Sequence, residues 1–455
     1  MKNSTFTKFF CVVLAALLVI PMISSCSLEQ LAEDFLENLI DELEGTEEVE
    51  ETTAEPRQTE PEKTEQTEYA TPETEETETE TDEPSPPPEP PVTWEDEYTP
   101  SYGETVYISK RQSAVPDEYY WRATLTGEMA KAYDELAAAA KRYEEYISIS
   151  ANVSFSDMEA VFRMYSLDHP ESFWYMNGFS GRGYVNNIDA VVWGLCFDEA
   201  EIPLRKREVE EAAQKIVDTI PNGASDIEAE LIIYDYLTQN LTYDLEADNA
   251  YNLYGALIGR RCVCQGFAEA FQYLCHMVGI PCIGMMGDAT NGAGVTEAHK
   301  WNAVKIGGRW YPVDATFGAG GAFNYTQYFN NAKKIASNHK IHPALTAAPR
   351  FYADDAEYFN YFGLVFTEDD LYDTFMRATK LLSENRNENS LVSHVVMRAE
   401  DMYELDSVRQ LLDESEGEYL ENIIADYNEV FSDSLVVWDY DFSDEYLIVH
   451  IVRIN

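Results

Sequence analysis

Between residues 45 and 100 the chain is almost entirely Glu, Thr and Pro, closing on PSPPPEPP. Such a stretch has too few apolar side chains to bury a core, and charge repulsion and polyproline stiffness hold it extended. Residues 27–100 carry 27 acidic and 2 basic side chains, which is −25 of the formal net charge of −52. Nearly half the charge therefore belongs to a stalk, read as residues 26–102, and any folded domain must lie C-terminal to it. The acidic balance argues against nucleic acid or an anionic membrane surface as the main partner.

Ahead of the stalk, MKNSTFTKFFCVVLAALLVIPMISSC has a basic start, a short apolar run and a small-residue exit, the pattern of a secretion signal over residues 1–25. Ile23-Ser24-Ser25-Cys26 resembles a bacterial lipobox, in which the cysteine becomes the lipidated first residue. The expectation is a lipid-anchored protein on the outer face of the bacterial cytoplasmic membrane, touching the membrane through its anchor alone. Leu28, Leu31, Phe35, Leu36, Leu39, Ile40 and Leu43 fall near helical spacing and predict a short amphipathic helix.

Setting aside Cys11 and Cys26, the cysteines are Cys196, Cys262, Cys264, Cys275 and Cys282. Five is odd, so at least one thiol has no partner within the chain, and so few cysteines in so large an exported domain do not make a disulfide scaffold. The rest divides into an accessory region over 103–204, a core over 205–345 and a small α+β region over 346–455. Residues 124–147 predict one long Ala-rich helix, and Ser156 with Glu159 a capping box for a helix over 157–167. Phe173–Met176 and 189–198 read as strands, with Cys196 in the core, and 206–220 as a helix. Ser225 and Glu228 cap a helix over 226–241. The next helix runs from Cys264 to near Gly279, with Cys264, Phe267, Phe271, Leu274, Cys275 and Val278 on its apolar face. After it come a strand over 282–287, a loop over 288–297 and a hairpin of 299–306 and 309–315 about Gly307-Gly308, and a second hairpin ends the chain.

One constellation in this layout carries chemistry. Cys264 opens a helix, where the positive end of the dipole favours thiolate, and an imidazolium beside it would do the same. His299 begins one strand of the hairpin and Asp314 ends the other, so the carboxylate can orient the ring. Cys262, Cys264, Cys275 and Cys282 as a zinc site lack the usual ligand spacing. Cys262 reads as a spectator, the alternative being a regulatory disulfide, which its placement so close to Cys264 would strain. His276 lies about 120° around the helix from Cys264, while His339 and His342 read as surface-loop residues.

The stretches CVCQGFAEAF, GIPCIGMMG and HKWNAVKIGGRWYPVDATFG resemble the transglutaminase-like superfamily of cysteine enzymes, most strongly over 226–318. By that resemblance Cys264 is the nucleophile, His299 the base and Asp314 the orienting acid, with Gly266, Trp301, Asn302 and Thr316 on supporting motif positions. Lys300, where many members carry Ala, is expected to face solvent. The backbone N–H of Cys264 is one oxyanion donor, and no side-chain donor is identifiable. The resemblance implies a papain-like α+β core, with the cysteine helix packed on an antiparallel sheet. It also implies acyl transfer at peptide or protein amides through a thioester, released to water or to an amine, with no cofactor and no metal. The expected substrate is a peptide or protein, cell-wall-associated ones included. A surface module that uses the same fold only for binding is the competing expectation.

Overall fold

The computed structural model describes residues 108–110, 116, 118–384 and 392–453. The signal segment, Cys26, the amphipathic stretch and the acidic stalk lie outside the described residues. Among the described residues no helix is long and apolar enough to cross a membrane.

Helix α1, Gly127–Ala140, is shorter than the 24-residue Ala-rich pattern. Leu125 and Thr126 are extended ahead of it, with a separate turn of helix at Tyr120–Thr124. Beyond it Tyr143 takes φ +60 and the β-branched Ile147 enters β1, Tyr146–Ser148. Strand pairing overrides helix propensity there, because Ile147 is buried and pairs with Val191. Helix α2, Phe155–Asp168, begins two residues earlier than expected. Ser154 Oγ accepts the Asp157 N–H at 3.1 Å and Asp157 Oδ2 accepts the Ser154 N–H at 3.0 Å, so the box is Ser154/Asp157 and not Ser156/Glu159. Both pairs have the right spacing, and only geometry chooses between them.

β2, Ser180–Tyr184, and β3, Asn187–Val192, complete a three-stranded sheet in the order β1-β3-β2. Phe173–Met176 is not a strand: it follows a 3₁₀ turn at Pro170–Ser172 and makes one bridge, Tyr175 to Leu195. Its aromatic rings pack as an irregular buried segment instead. β3 ends at Val192, which leaves Cys196 in an irregular stretch and exposed rather than in the core. Helix α3, Ile202–Val217, starts and stops a few residues before the expected span, with a proline in its first turn. Helix α4, Asp226–Asn240, carries the expected Ser225/Glu228 box.

Short parallel strands β4, Thr242–Tyr243, and β5, Arg261–Cys262, lead into α5, Cys264–Met277. Its end is a Schellman motif: the N–H of Ile280 reaches Cys275 O, that of Gly279 reaches His276 O, and Gly279 takes φ +79. The expected single apolar face is too modest, since every residue from Gly266 to Met277 is buried. Apolar periodicity hides this, because Glu269, Gln272 and His276 are buried with hydrogen-bond partners.

The core sheet is antiparallel in the order β8-β7-β6-β9, formed by β6 Cys282–Thr290, β7 Thr296–Ile306, β8 Arg309–Val313 and β9 His339–Ile341. β6 and β7 run into the expected loop and leave only 291–295 outside the ladder. The β7–β8 turn has φ +54 and +83 at Gly307 and Gly308, the positive pair of a type I′ turn. A second core lies under a sheet ordered β10-β11-β13-β12: β10 Val365–Phe366, β11 Val392–Ala399, β12 Leu435–Ser443 and β13 Tyr446–Arg453. Helices α6 Leu371–Glu384, α7 Met402–Glu414 and α8 Glu418–Phe431 flank it. The terminal hairpin is present as expected.

Candidate active site

Cys264 is the first residue of α5 and half-buried, after an extended Val263. Backbone N–H groups of a first helical turn have no intrahelical acceptor, so they and the helix dipole face the thiol. Gly266 is fixed by space: a Cβ there would stand 2.6 Å from Cys262 Cβ and 3.0 Å from its sulfur. Cys262 is fully buried, and desolvation, then the neighbouring Cys264, pushes its thiol up to about 12. Of the two cysteines only Cys264 is placed to react.

His299 lies on β7 and Asp314 just past β8, and His299 Nε2 donates to Asp314 Oδ2 at 2.8 Å. The Cys264 side chain stands beside the same ring, near enough to raise it. Burial opposes a charged imidazole here, but the Asp314 charge and hydrogen bond, together with Cys264, overcome it and push His299 from 6.5 up to about 10. Asp314 is wholly buried. Burial opposes its ionisation too, yet the His299 charge and the hydrogen bonds from His299 and His339 hold it far below the usual carboxylate range. Its other oxygen, Oδ1, accepts the N–H groups of Thr316 and Phe317 at 2.9 and 3.1 Å, capping the helical turn Ala315–Gly318. The three expected residues are therefore brought together.

Trp301 is buried, its ring nearly parallel to His299 with centroids 6.2 Å apart. Asn302 Nδ2 donates to Ala268 O at 3.1 Å and Ile283 O at 3.4 Å, tying α5 to the sheet. Two expectations are corrected. Lys300 is not solvent-facing: strand alternation turns it, like Asn302, toward α5, where Nζ reaches Glu269 Oε1 at 3.0 Å and Ser166 O at 3.2 Å. Burial raises the Glu269 carboxyl even with Lys300 beside it. Nor is His339 a surface-loop residue. Its side chain is 1% exposed, and its Nε2 lies 3.0 Å from the same Asp314 Oδ2 that His299 engages. His342 lies in the loop just past β9 as expected, half-buried there, and burial lowers it. His276 lies away from the thiol, bonded through Nε2 to Cys282 O at 2.7 Å.

Sequence reasoning missed the half-exposed Tyr243 on β4, which pairs with Cys262 and whose phenol is raised by burial and then by the charge of Cys264. Periodicity gives no hint of it, since β4 is two residues long. His299, Asp314 and His339 present ring and carboxylate atoms within 4.8 Å of one another. These atoms are already spent on the hydrogen bonds they make together, which a cation would have to displace.

Residues 211–315 match the model of the transglutaminase-like superfamily. The chain carries a transglutaminase-like core. The match takes in Cys264, His299 and Asp314, and the α+β arrangement of α5 on an antiparallel sheet is the fold this predicts. Kyphoscoliosis peptidase of Mus musculus is 29% identical over 118 residues, and that of Homo sapiens 27%. Each alignment covers 23% of this chain and only 18% of the relative's own length. Among solved structures, a TGase is 16% identical over 30% of this chain and 43% of that one, with a TM-score of 0.22. The periplasmic domain of TgpA from Pseudomonas aeruginosa is 19% identical over 30% and 58%, with a TM-score of 0.18. Superpositions that loose add nothing to the fold.

Proposed function

We propose that this chain is a cell-surface cysteine enzyme that transfers or hydrolyses acyl groups at peptide or protein amide bonds. The observation behind this reading is the convergence of Cys264, first residue of a buried helix, with the His299–Asp314 pair hydrogen-bonded at 2.8 Å. The Cys264 thiolate attacks the amide carbonyl. As the C–N bond breaks, the His299 imidazolium gives its proton to the leaving amine, and a thioester remains on Cys264. Water or a second amine then attacks the thioester, His299 takes the incoming proton, and the thiolate departs. Asp314 keeps the ring oriented throughout. The oxyanion is met by the Cys264 backbone N–H at the helix start. Neither a cofactor nor a metal enters these steps. Lipid anchoring through Cys26 on the outer face of the membrane is part of the proposal and rests on the leader pattern alone.

The experiment is labelling with a thiol-directed acyl probe, followed by mass spectrometry of the adduct after incubation with cell-wall peptides and proteins. Cys264→Ala should abolish labelling while Cys262→Ala keeps it. Equal loss in both, or labelling that survives Cys264→Ala, would overturn the assignment. A folded wild type that gives no adduct with any amide substrate would favour the binding-module reading.

A further inference from the structure

Asp314 is shared. Its Oδ2 faces two imidazoles, His299 Nε2 at 2.8 Å and His339 Nε2 at 3.0 Å, while Oδ1 is taken by two backbone N–H groups. At its other end His339 Nδ1 lies 2.8 Å from Asn338 Oδ1. The orientation of that amide is set independently, because Asn338 Nδ2 donates to Tyr328 Oη at 2.8 Å and to Thr290 O at 3.2 Å. Both nitrogens of the His339 ring therefore face oxygen acceptors. A neutral imidazole has one N–H and one lone pair, so it would set that lone pair against an oxygen at one end. A ring with two protons satisfies both ends.

We propose that His339 is a positioning residue of the acyl-transfer site: an imidazolium that divides the Asp314 carboxylate with His299 and makes the buried cluster electrically neutral. The proposal rests on the cysteine-enzyme reading above. Thiolate, imidazolium and carboxylate alone leave one unbalanced negative charge in a largely buried site, and buried charge is costly unless paired. His339 supplies the fourth charge. It also limits how strongly Asp314 holds the His299 proton, which must leave for the departing amine in one half-reaction and be replaced in the other.

The groups around His339 are few. Asp314 and His299 touch it directly, and Cys264 lies beyond His299. Tyr328 packs at 6.2 Å between ring centroids, with Lys334 over its far side. Phe317 and Trp301 fill the remaining sides and carry no charge. In the sheet, His339 pairs with Ala289, whose partner on β7 is the exposed Glu297, while the exposed Lys340 and Asp288 pair one position along.

The test uses His339→Gln in the full-length chain, since glutamine keeps a donor for Asp314 without the charge. Removing a cation makes the thiolate harder to form and the His299 proton harder to lose. Both limbs of the pH profile for alkylation of Cys264 should then move toward alkaline pH together, by about one unit. A merely structural role would lower the amplitude and leave both limbs in place, and that result overturns the proposal. Histidine ¹⁵N spectra should show one ring fewer protonated on both nitrogens in His339→Gln than in the wild type. If that variant does not fold, Asn338→Leu removes the acceptor for the second proton and should move the profile the same way by less. Equal numbers of doubly protonated rings in the wild type and His339→Gln also overturn it. Alkylation and spectra need no substrate. A chain with the expected profile but no acyl adduct would thus fail the function above and leave the His339 assignment standing.

Discussion

A Cβ on Gly266 would press into Cys262 and stand 3.2 Å from Asn252 O. Gly266→Ala is therefore expected to cost about 1–3 kcal/mol by overpacking, read as a lower urea midpoint. Gly259→Ala, with nothing within 4 Å of the added carbon, should lie within about 0.5 kcal/mol of wild type. The Lys300–Glu269 pair makes a second prediction at this scale. Lys300→Met leaves Glu269 buried without its cation and should cost about 3–5 kcal/mol. The deficit should shrink in acid, where Glu269 takes up a proton; a loss independent of pH would mean that the lost packing of the lysine stem, and not the charge, decides it.

At the scale of the element, α5 and the β7–β8 hairpin were legible because each had local punctuation: Gly279 at a helix end, Gly307-Gly308 at a tight turn, a capping box ahead of α4. Cys264, His299 and Asp314 sit beside that punctuation, which is why their convergence could be anticipated. The misplaced elements failed where a local signal had a rival. Two Ser-x-x-acid pairs compete at α2, the Ala-rich run is cut short by pairing of Ile147, and the aromatic run at 173–176 is buried by ring packing without a ladder. His339 was invisible for another reason. It is delivered by β9, a three-residue strand far along the chain, and nothing in its neighbours announces that the strand pairs with β6. Lys300 was misjudged because charge usually marks a solvated face, and only the tertiary partner Glu269 reverses that.

For the whole molecule, buried groups such as His299, Glu357 and Asp314 set how stability responds to pH. His299 is raised from 6.5 to about 10, so the stability it contributes is complete below 6.5 and is lost as pH rises through 10. Glu357 is raised from 4.5 to about 7 by burial, against the opposing charge of Arg398, so its contribution is complete below 4.5 and lost as pH rises through 7. Asp314 works the other way, and its contribution disappears as pH falls below the ordinary carboxylate range. The urea midpoint should thus decline from mildly acidic to alkaline pH; a midpoint that climbs from pH 5 to 9 would contradict these assignments. Glu357 also connects the two cores, since Arg398 on β11 lies 3.1 Å from one carboxylate oxygen and Asn331, which caps the helical turn before His339, donates to the other at 3.2 Å.

β9 can lie against β6 only because Gly287 has no side chain: a Cβ there would fall 1.9 Å from Lys340 O. Any larger residue at 287 must push the strand outward and take His339 with it. In a mutational scan that strand glycine, the cross-strand partner of His299 on β7, would score as severely as a member of the triad while supplying no side chain to it, and an inhibitor that wedged β9 from β6 would silence the thiol without ever occupying its cleft.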